Sequence, residues 1–240
     1  MNNPWKALPT EAPYILRSDR DWVDQYTRDL EKYVSKKSDA QKQEILHNYS
    51  LRTEITPFPY YGDPNQATVM VLQANPGHDP EWQENSLSSL IIDYDKKNLL
   101  HQHEIPLCYT QPELAQWLYN DGRPNIDWYW KRTKQLRNKV GWETVACKLM
   151  YMEMFPYRSI KLRYPKSLPP SQEYTFYLLR EALKRNIWVV ITRMENHWLQ
   201  NVPALVGYNK IIRLNSKQNV TLSSGNMKSE DFNNLIQALS

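Results

Sequence analysis

Thr68-Val69-Met70-Val71-Leu72, followed at once by Gln73-Ala74-Asn75-Pro76-Gly77-His78, is the stretch on which the fold turns. An apolar, β-branched run without polar alternation predicts a strand covered on both faces, as in a parallel sheet. Asn-Pro-Gly then breaks the strand with a favourable turn. Three similar runs follow at Ala146–Met152, Ile187–Thr192 and Lys210–Leu214. The intervals exclude hairpins, since parallel strands need crossovers of a dozen residues or more. Helical patterns fill them at Pro112–Asn120, Ile126–Val140, Ser171–Arg185 and Glu195–Leu199, with another at Ser229–Leu239. The expected fold is α/β, a three-layer α/β/α sandwich around a four-stranded, mainly parallel sheet.

Upstream, residues 1–18 are Pro-rich and read as an irregular surface arm. Trp22, Tyr26, Leu30, Tyr33 and Val34 then recur at helical spacing among charges, predicting an amphipathic helix. A turn at Lys36–Asp39 leads into a second helix ending near Asn48. No repeat, low-complexity tract or linker divides the chain. The expectation is one domain over residues 1–240, with a helical extension at 1–50 and a core at 51–240.

The 240 residues include 41% hydrophobic residues, with 9 Trp and 16 Tyr, enough for a sizeable core. Mean hydropathy of −0.72 points to a soluble protein. The longest apolar runs fall far short of the roughly 20 residues of a membrane helix. Met1–Tyr14 lacks the pattern of a secretory leader. Cys108 and Cys147 make neither a disulfide framework nor a CxxC metal site, which fits a reducing, cytoplasmic setting. The net charge of +4 weakly favours a nucleic-acid partner.

Ligands of open α/β sheets bind beyond the carboxyl ends of the strands. Here those positions carry Gln73–Asp79, Glu153–Arg158, Arg193–Trp198 and Thr221–Asn226. Amides, hydroxyls, a carboxylate and aromatics therefore converge on one face. Each turn alone fits ordinary loop chemistry; together and in this order they favour a functional site.

Pro57–Gly77 (PFPYYGDPNQATVMVLQANPG) carries a family resemblance. Its Pro/Gly-rich loop, apolar strand and Gln-Ala-Asn-Pro-Gly turn resemble the first motif of the uracil-DNA glycosylase superfamily. The nearest pattern is that of the mismatch-specific uracil/thymine branch, Gly-Ile-Asn-Pro-Gly. Ser224-Gly225 is similar to the second motif, a Ser-Gly loop before a helix. The resemblance spans about 57–227 and leaves out the N-terminal helices.

That resemblance implies a monofunctional DNA glycosylase that acts on a flipped-out base without a cofactor or metal. Asn75 would position the attacking water, because an amide orients but does not remove a proton as a carboxylate does. Gln73, Ala74, Pro76, Gly77, His78, Glu153 and Phe155 would line the base pocket. Backbone N–H groups around Pro76–His78 would stabilise the departing anion. Ser223, Ser224, Gly225, Asn226 and Arg158 would hold DNA, with the positive end of Ser229–Leu239 assisting. A monomer is expected.

Three departures shift the expected base away from uracil. Gly77 stands where the classical uracil enzymes carry an aromatic that blocks base carbon 5. Leu222-Ser223-Ser224 replaces His-Pro-Ser, removing the histidine that assists the leaving uracil. Glu153 replaces the base-reading Asn. An ionised Glu only accepts, and so matches an exocyclic amino group such as cytosine N4. A cytosine with a hydroxymethyl or glucosyl group at carbon 5 follows, as in modified phage DNA, which suits a defence role. Glu153 equally fits a surface or paired carboxylate. An ordinary uracil or mismatch glycosylase and a non-catalytic nucleic-acid-binding relative remain alternatives.

Other groups fit blander roles. His101-Gln102-His103 lacks a third zinc ligand at useful spacing. Two cysteines exclude a four-cysteine cluster. His197-Trp198 fits packing at a helix start, and His78-Asp79 could assist the adjacent turn. Ser224 lacks a nucleophile elbow. Within the aromatic-rich Trp117–Trp142, the consecutive Trp128, Tyr129 and Trp130 must face different ways, with at least one in the core. Lys131, Arg132, Lys134, Arg137 and Lys139 read mostly as a solvated helix face.

Overall fold

Val69–Leu72 (β2) is buried along its whole length, as expected of a strand without polar alternation. In the computed structural model, which describes residues 1–78, 88–102, 105–107 and 128–240, this strand is central to a five-stranded sheet. Its partners are Leu149–Met152 (β3) and Trp188–Ile191 (β4), both parallel to it. Ile211–Arg213 (β5) extends the sheet in parallel beyond β4. Tyr60–Tyr61 (β1) pairs antiparallel with β3, giving the order β1-β3-β2-β4-β5. Leu72 stands opposite both Met152 and Ile191, so the three central strands end at one level. The fold is α/β, with helices around a mostly parallel sheet.

Four strands were expected, and the sheet of the described residues has five. Two-residue β1 lies in a Pro/Gly-rich stretch, too short to show a period. The run Ala146–Met152 is also not all strand: Trp142–Lys148 is helical, and β3 begins only at Leu149. Val145 and Ala146 are fully buried, and a buried helical turn cannot be told from a buried strand by apolarity alone.

Chain contacts group the residues into two compact units. The first comprises 1–59, 74–102 and 153–175. Its helices are Arg20–Val34 (α1), Asp39–Tyr49 (α2) and Ser88–Leu99 (α3). α1 buries Val23, Tyr26, Leu30 and Val34, while Tyr33 stays exposed beneath Arg163. A reciprocal capping box between Ser38 and Gln41 starts α2. The Pro-rich residues 1–18 are not a surface arm, because Trp5, Tyr14, Ile15 and Leu16 are buried. Asn3 Nδ2 donates to the Leu99 carbonyl at 2.7 Å, and Tyr14 N to that of Thr53 at 2.7 Å. Prolines leave few backbone donors, so these bonds and the interspersed apolar residues suffice to dock the segment.

The second unit comprises 60–73, 103–152 and 176–240 and holds the sheet. Its helices include Trp128–Val140 (α4), Trp142–Lys148 (α5), Glu195–Asn201 (α7) and Ser229–Leu239 (α8). Gln172–Lys184 (α6) lies mostly in the same unit. α8 buries Phe232, Leu235 and Leu239 and packs on α4, α5 and β2. Gly62 has φ of 121°, and a Cβ there would sit 2.8 Å from the Leu149 carbonyl oxygen. Gly62→Ala is therefore expected to lower stability by about 2 kcal/mol, read from urea-denaturation midpoints. An unchanged midpoint would mean that the β1–β3 edge adapts without strain.

The expected helix at Pro112–Asn120 lies outside the described residues. No described helix is long and apolar enough to cross a membrane.

Candidate active site

The residues after β2 and β3 are laced together in the first unit. Phe155 N donates to the Ala74 carbonyl at 3.1 Å, aligning the Ala74–His78 turn beside Glu153–Ser159. Asn75, three residues past Leu72, is half-buried. Its Nδ2 donates to Ser159 Oγ and to the Pro76 carbonyl, each at 3.2 Å, and lies 3.5 Å from the Ser159 carbonyl. The amide is thereby oriented through its nitrogen, and Oδ1 has no protein partner among the described residues. An amide so fixed offers one acceptor at a defined position. Ser159 is itself buried and held, donating from Oγ to the Lys161 carbonyl at 3.0 Å.

Pro76 is buried, His78 half-buried and Gly77 exposed. A Cβ at Gly77 would meet no described atom within 4 Å. The Gly77 carbonyl is held by Arg158 Nη1 at 3.2 Å. The same guanidinium donates from Nε to the Thr56 carbonyl at 3.2 Å and from Nη2 to Asp95 Oδ2 at 2.9 Å. It also lies over the Phe58 ring at 4.7 Å from the centroid. Asp95 is 1% exposed and accepts from Thr56 Oγ1 as well. Arg158 thus clamps the turn from inside, a role distinct from the DNA contact expected of it.

Glu153 is 2% exposed, which excludes the surface-carboxylate role. Its backbone is fixed at both ends: N donates to the Pro59 carbonyl and O accepts from Gln172 Nε2, both at 2.8 Å. Gln172 is fully buried, and its Oε1 has no partner among the described residues. Phe155 is buried edge-to-face against the exposed Tyr164, with centroids 5.3 Å apart. Deeper in this unit Tyr157 donates to Asp19 at 2.8 Å, and burial together with the Asp19 charge holds its hydroxyl far above the ordinary tyrosine range.

No family model, curated protein or solved structure matches this chain.

Gln73, Ser223, Ser224, Gly225 and Asn226 belong to the second unit. Gln73 donates from N to the Met152 carbonyl and accepts the Trp198 indole N–H at 2.9 Å through its own carbonyl. Its buried side-chain Nε2 has no partner among the described residues. Trp198 is wholly buried, in keeping with a packing role. Asn226 is a latch rather than an exposed ligand. It is 6% exposed, donates to the Thr221 carbonyl at 3.0 Å and accepts from Ser216 N at 2.9 Å. Ser224 and Gly225 are exposed, and Ser224 N donates to Gln135 Oε1 at 3.0 Å. Glu230 and Asp231 occupy the first turn of α8 and already offset its positive end, which weakens that end as a phosphate site.

No group of three His, Cys, Asp or Glu among the described residues could hold a metal ion. His101 instead shares a 3.1 Å hydrogen bond with the Tyr174 hydroxyl. Asp79, His103 and Cys108 lie outside the described residues. Sequence reasoning missed Ser159, Asp95 and Gln135. Ser159 adjoined a segment already singled out and Gln135 lay within the aromatic-rich stretch 117–142, whereas Asp95 lies on α3, a helix that carried no readable period.

Proposed function

We propose that the chain is a monofunctional DNA glycosylase that hydrolyses the N-glycosidic bond of a flipped-out, carbon-5-modified cytosine. The observation that carries the proposal is Asn75: its amide nitrogen is fixed by Ser159 and Pro76, and its oxygen remains to receive a water proton. As the C1′–N1 bond breaks, its electron pair leaves with the base and the sugar gains oxocarbenium character. The water held by Asn75 adds to C1′, and its proton passes to solvent or the departing base. Orientation of this kind counts because a fixed water converts an encounter into an intramolecular step.

Glu153 and Gly77 support the choice of base. Glu153 is buried, and an ionised carboxylate, which only accepts, matches an exocyclic amino group such as cytosine N4. The open space at Gly77 suits a carbon-5 substituent. Such a base marks modified phage DNA, so the proposed setting is cytoplasmic defence by a monomer.

The test is mass-spectrometric detection of bases released from DNA containing uracil, thymine mismatches, hydroxymethylcytosine or glucosylated hydroxymethylcytosine. Release of a modified cytosine is expected. Release of uracil alone would assign ordinary repair, and no release would leave a DNA-binding relative without turnover. Glu153→Gln, which adds a donor, is expected to shift preference from cytosine-type bases towards uracil by about tenfold or more. An unchanged ratio would remove Glu153 from base reading.

A further inference from the structure

Tyr33 and Tyr164 are the exposed aromatic side chains among the described residues, at 42% and 41%, and both belong to the first unit. Arg163 links them. Its guanidinium lies over the Tyr33 ring at 4.0 Å from the centroid, and Tyr164 follows it in the chain. Lys37 approaches the same Tyr33 ring at 5.5 Å. Tyr164 in turn packs edge-to-face on buried Phe155, whose N–H holds the Ala74 carbonyl next to Asn75. A line of rings and cations therefore runs from the end of α1 to the Ala74–His78 turn.

The segment that carries Arg163 and Tyr164 is fastened on both sides. Upstream, Ser159 Oγ donates to the Lys161 carbonyl at 3.0 Å, and Lys161 N donates to that of Asn48 on α2 at 2.8 Å. Downstream, Lys166 pairs with Asp29 of α1 at 3.1 Å, and the Trp22 indole N–H donates to the Ser167 carbonyl at 2.8 Å. Helices α1 and α2 thus hold the Tyr164 ring where it stands, and a ring already in place binds without the cost of ordering it. Acids lie here too, Asp29 on Lys166 and exposed Glu31 two residues before Tyr33. Charge alone therefore does not define this surface; the rings do.

We infer that Tyr164, Arg163 and the Tyr33 beneath it form a surface that binds an unpaired DNA strand by stacking. Aromatics interleaved with cations suit a single strand, because every base offers a π face to a ring while the cation meets the backbone. Guanidinium planes stack bases as well, and Tyr33 supports that of Arg163. Duplex DNA keeps its bases stacked inside, so the surface selects unpaired nucleotides. Its line of rings leads them towards the turn that carries Asn75. The choice of DNA rests on the glycosylase reading; the stacking argument does not.

The experiment is fluorescence anisotropy of the full chain with a short labelled oligothymidylate and with a duplex of the same length, across a salt series. Tyr164→Leu keeps apolar cover on Phe155 but removes the π face, and is expected to weaken single-strand binding about tenfold. Tyr164→Phe keeps the ring and is expected to bind like the parent chain. Arg163→Gln is expected to reduce the slope of log affinity against log salt by about 0.7. Parent-like binding by a folded Tyr164→Leu, shown by its melting curve, would overturn the inference. So would a duplex bound more tightly than the single strand. Oligothymidylate holds no modified cytosine, so this result does not depend on base release. Tyr164-dependent binding with no release from any DNA would sink the glycosylase reading and leave the surface standing. Release of base by a chain whose Tyr164→Leu variant binds like the parent would do the reverse.

Discussion

Asn75→Ala is expected to fold like the parent chain and to release base at least about 100-fold more slowly. The residue is half-buried, and its side chain makes only donor contacts, to Ser159 and to the Pro76 carbonyl. Losing them costs about 1 kcal/mol, too little to unfold a chain whose central strands β2 and β3 are buried along their whole length. What disappears is the oriented acceptor, and a water left to find its own geometry loses most of the advantage of proximity. Asn75→Asp sharpens the point. A carboxylate is the stronger base, yet it would set oxygen where Nδ2 now lies 3.2 Å from the Pro76 carbonyl and 3.5 Å from that of Ser159. Oxygen facing oxygen repels, so the side chain turns away and the variant is expected to remain impaired. Single-turnover base release, with melting curves for each variant, measures both effects. Parent-like release by Asn75→Ala would mean that no chemistry passes through this turn.

Signals that depend on local period were legible in the sequence; those that depend on distant partners were not. TVMVL, the α1 stripe and Ser229–Leu239 each carry their fold assignment within one segment, and each lies where expected or nearly so. The Asn-Pro-Gly turn is equally local. Trp5 and Leu16 looked like parts of a loose arm because prolines mask apolarity when burial comes from tertiary contact. Asn226 looked like an exposed ligand because Ser-Ser-Gly-Asn reads as a loop. Only the fold shows that it bonds to Thr221 and Ser216 instead. Arg158 is the clearest case, since a lone arginine after a strand has no sequence signal that separates a phosphate contact from an internal clamp.

Removing either partner of the Arg158–Asp95 pair is expected to destabilise the protein by about 3–5 kcal/mol. The two side chains are 11% and 1% exposed and meet at 2.9 Å, so truncating one strands a charge away from water. Arg158 has more to lose than its ion pair, because it also holds the carbonyls of Thr56 and Gly77. Arg158→Lys keeps the charge but not the planar fork, and is expected to recover only part of the loss. Removing both side chains strands no charge, so the double variant should cost less than the sum of the two single ones. Urea denaturation of the four proteins in the cycle measures this coupling. A DNA-contacting Arg158 would give the opposite pattern: Arg158→Gln would cut the salt slope of duplex binding by about 1 and leave stability nearly untouched. The clamp predicts lost stability with an intact slope. Because the clamped carbonyl belongs to Gly77, two residues past Asn75, the folded fraction of Arg158→Gln should also release base more slowly.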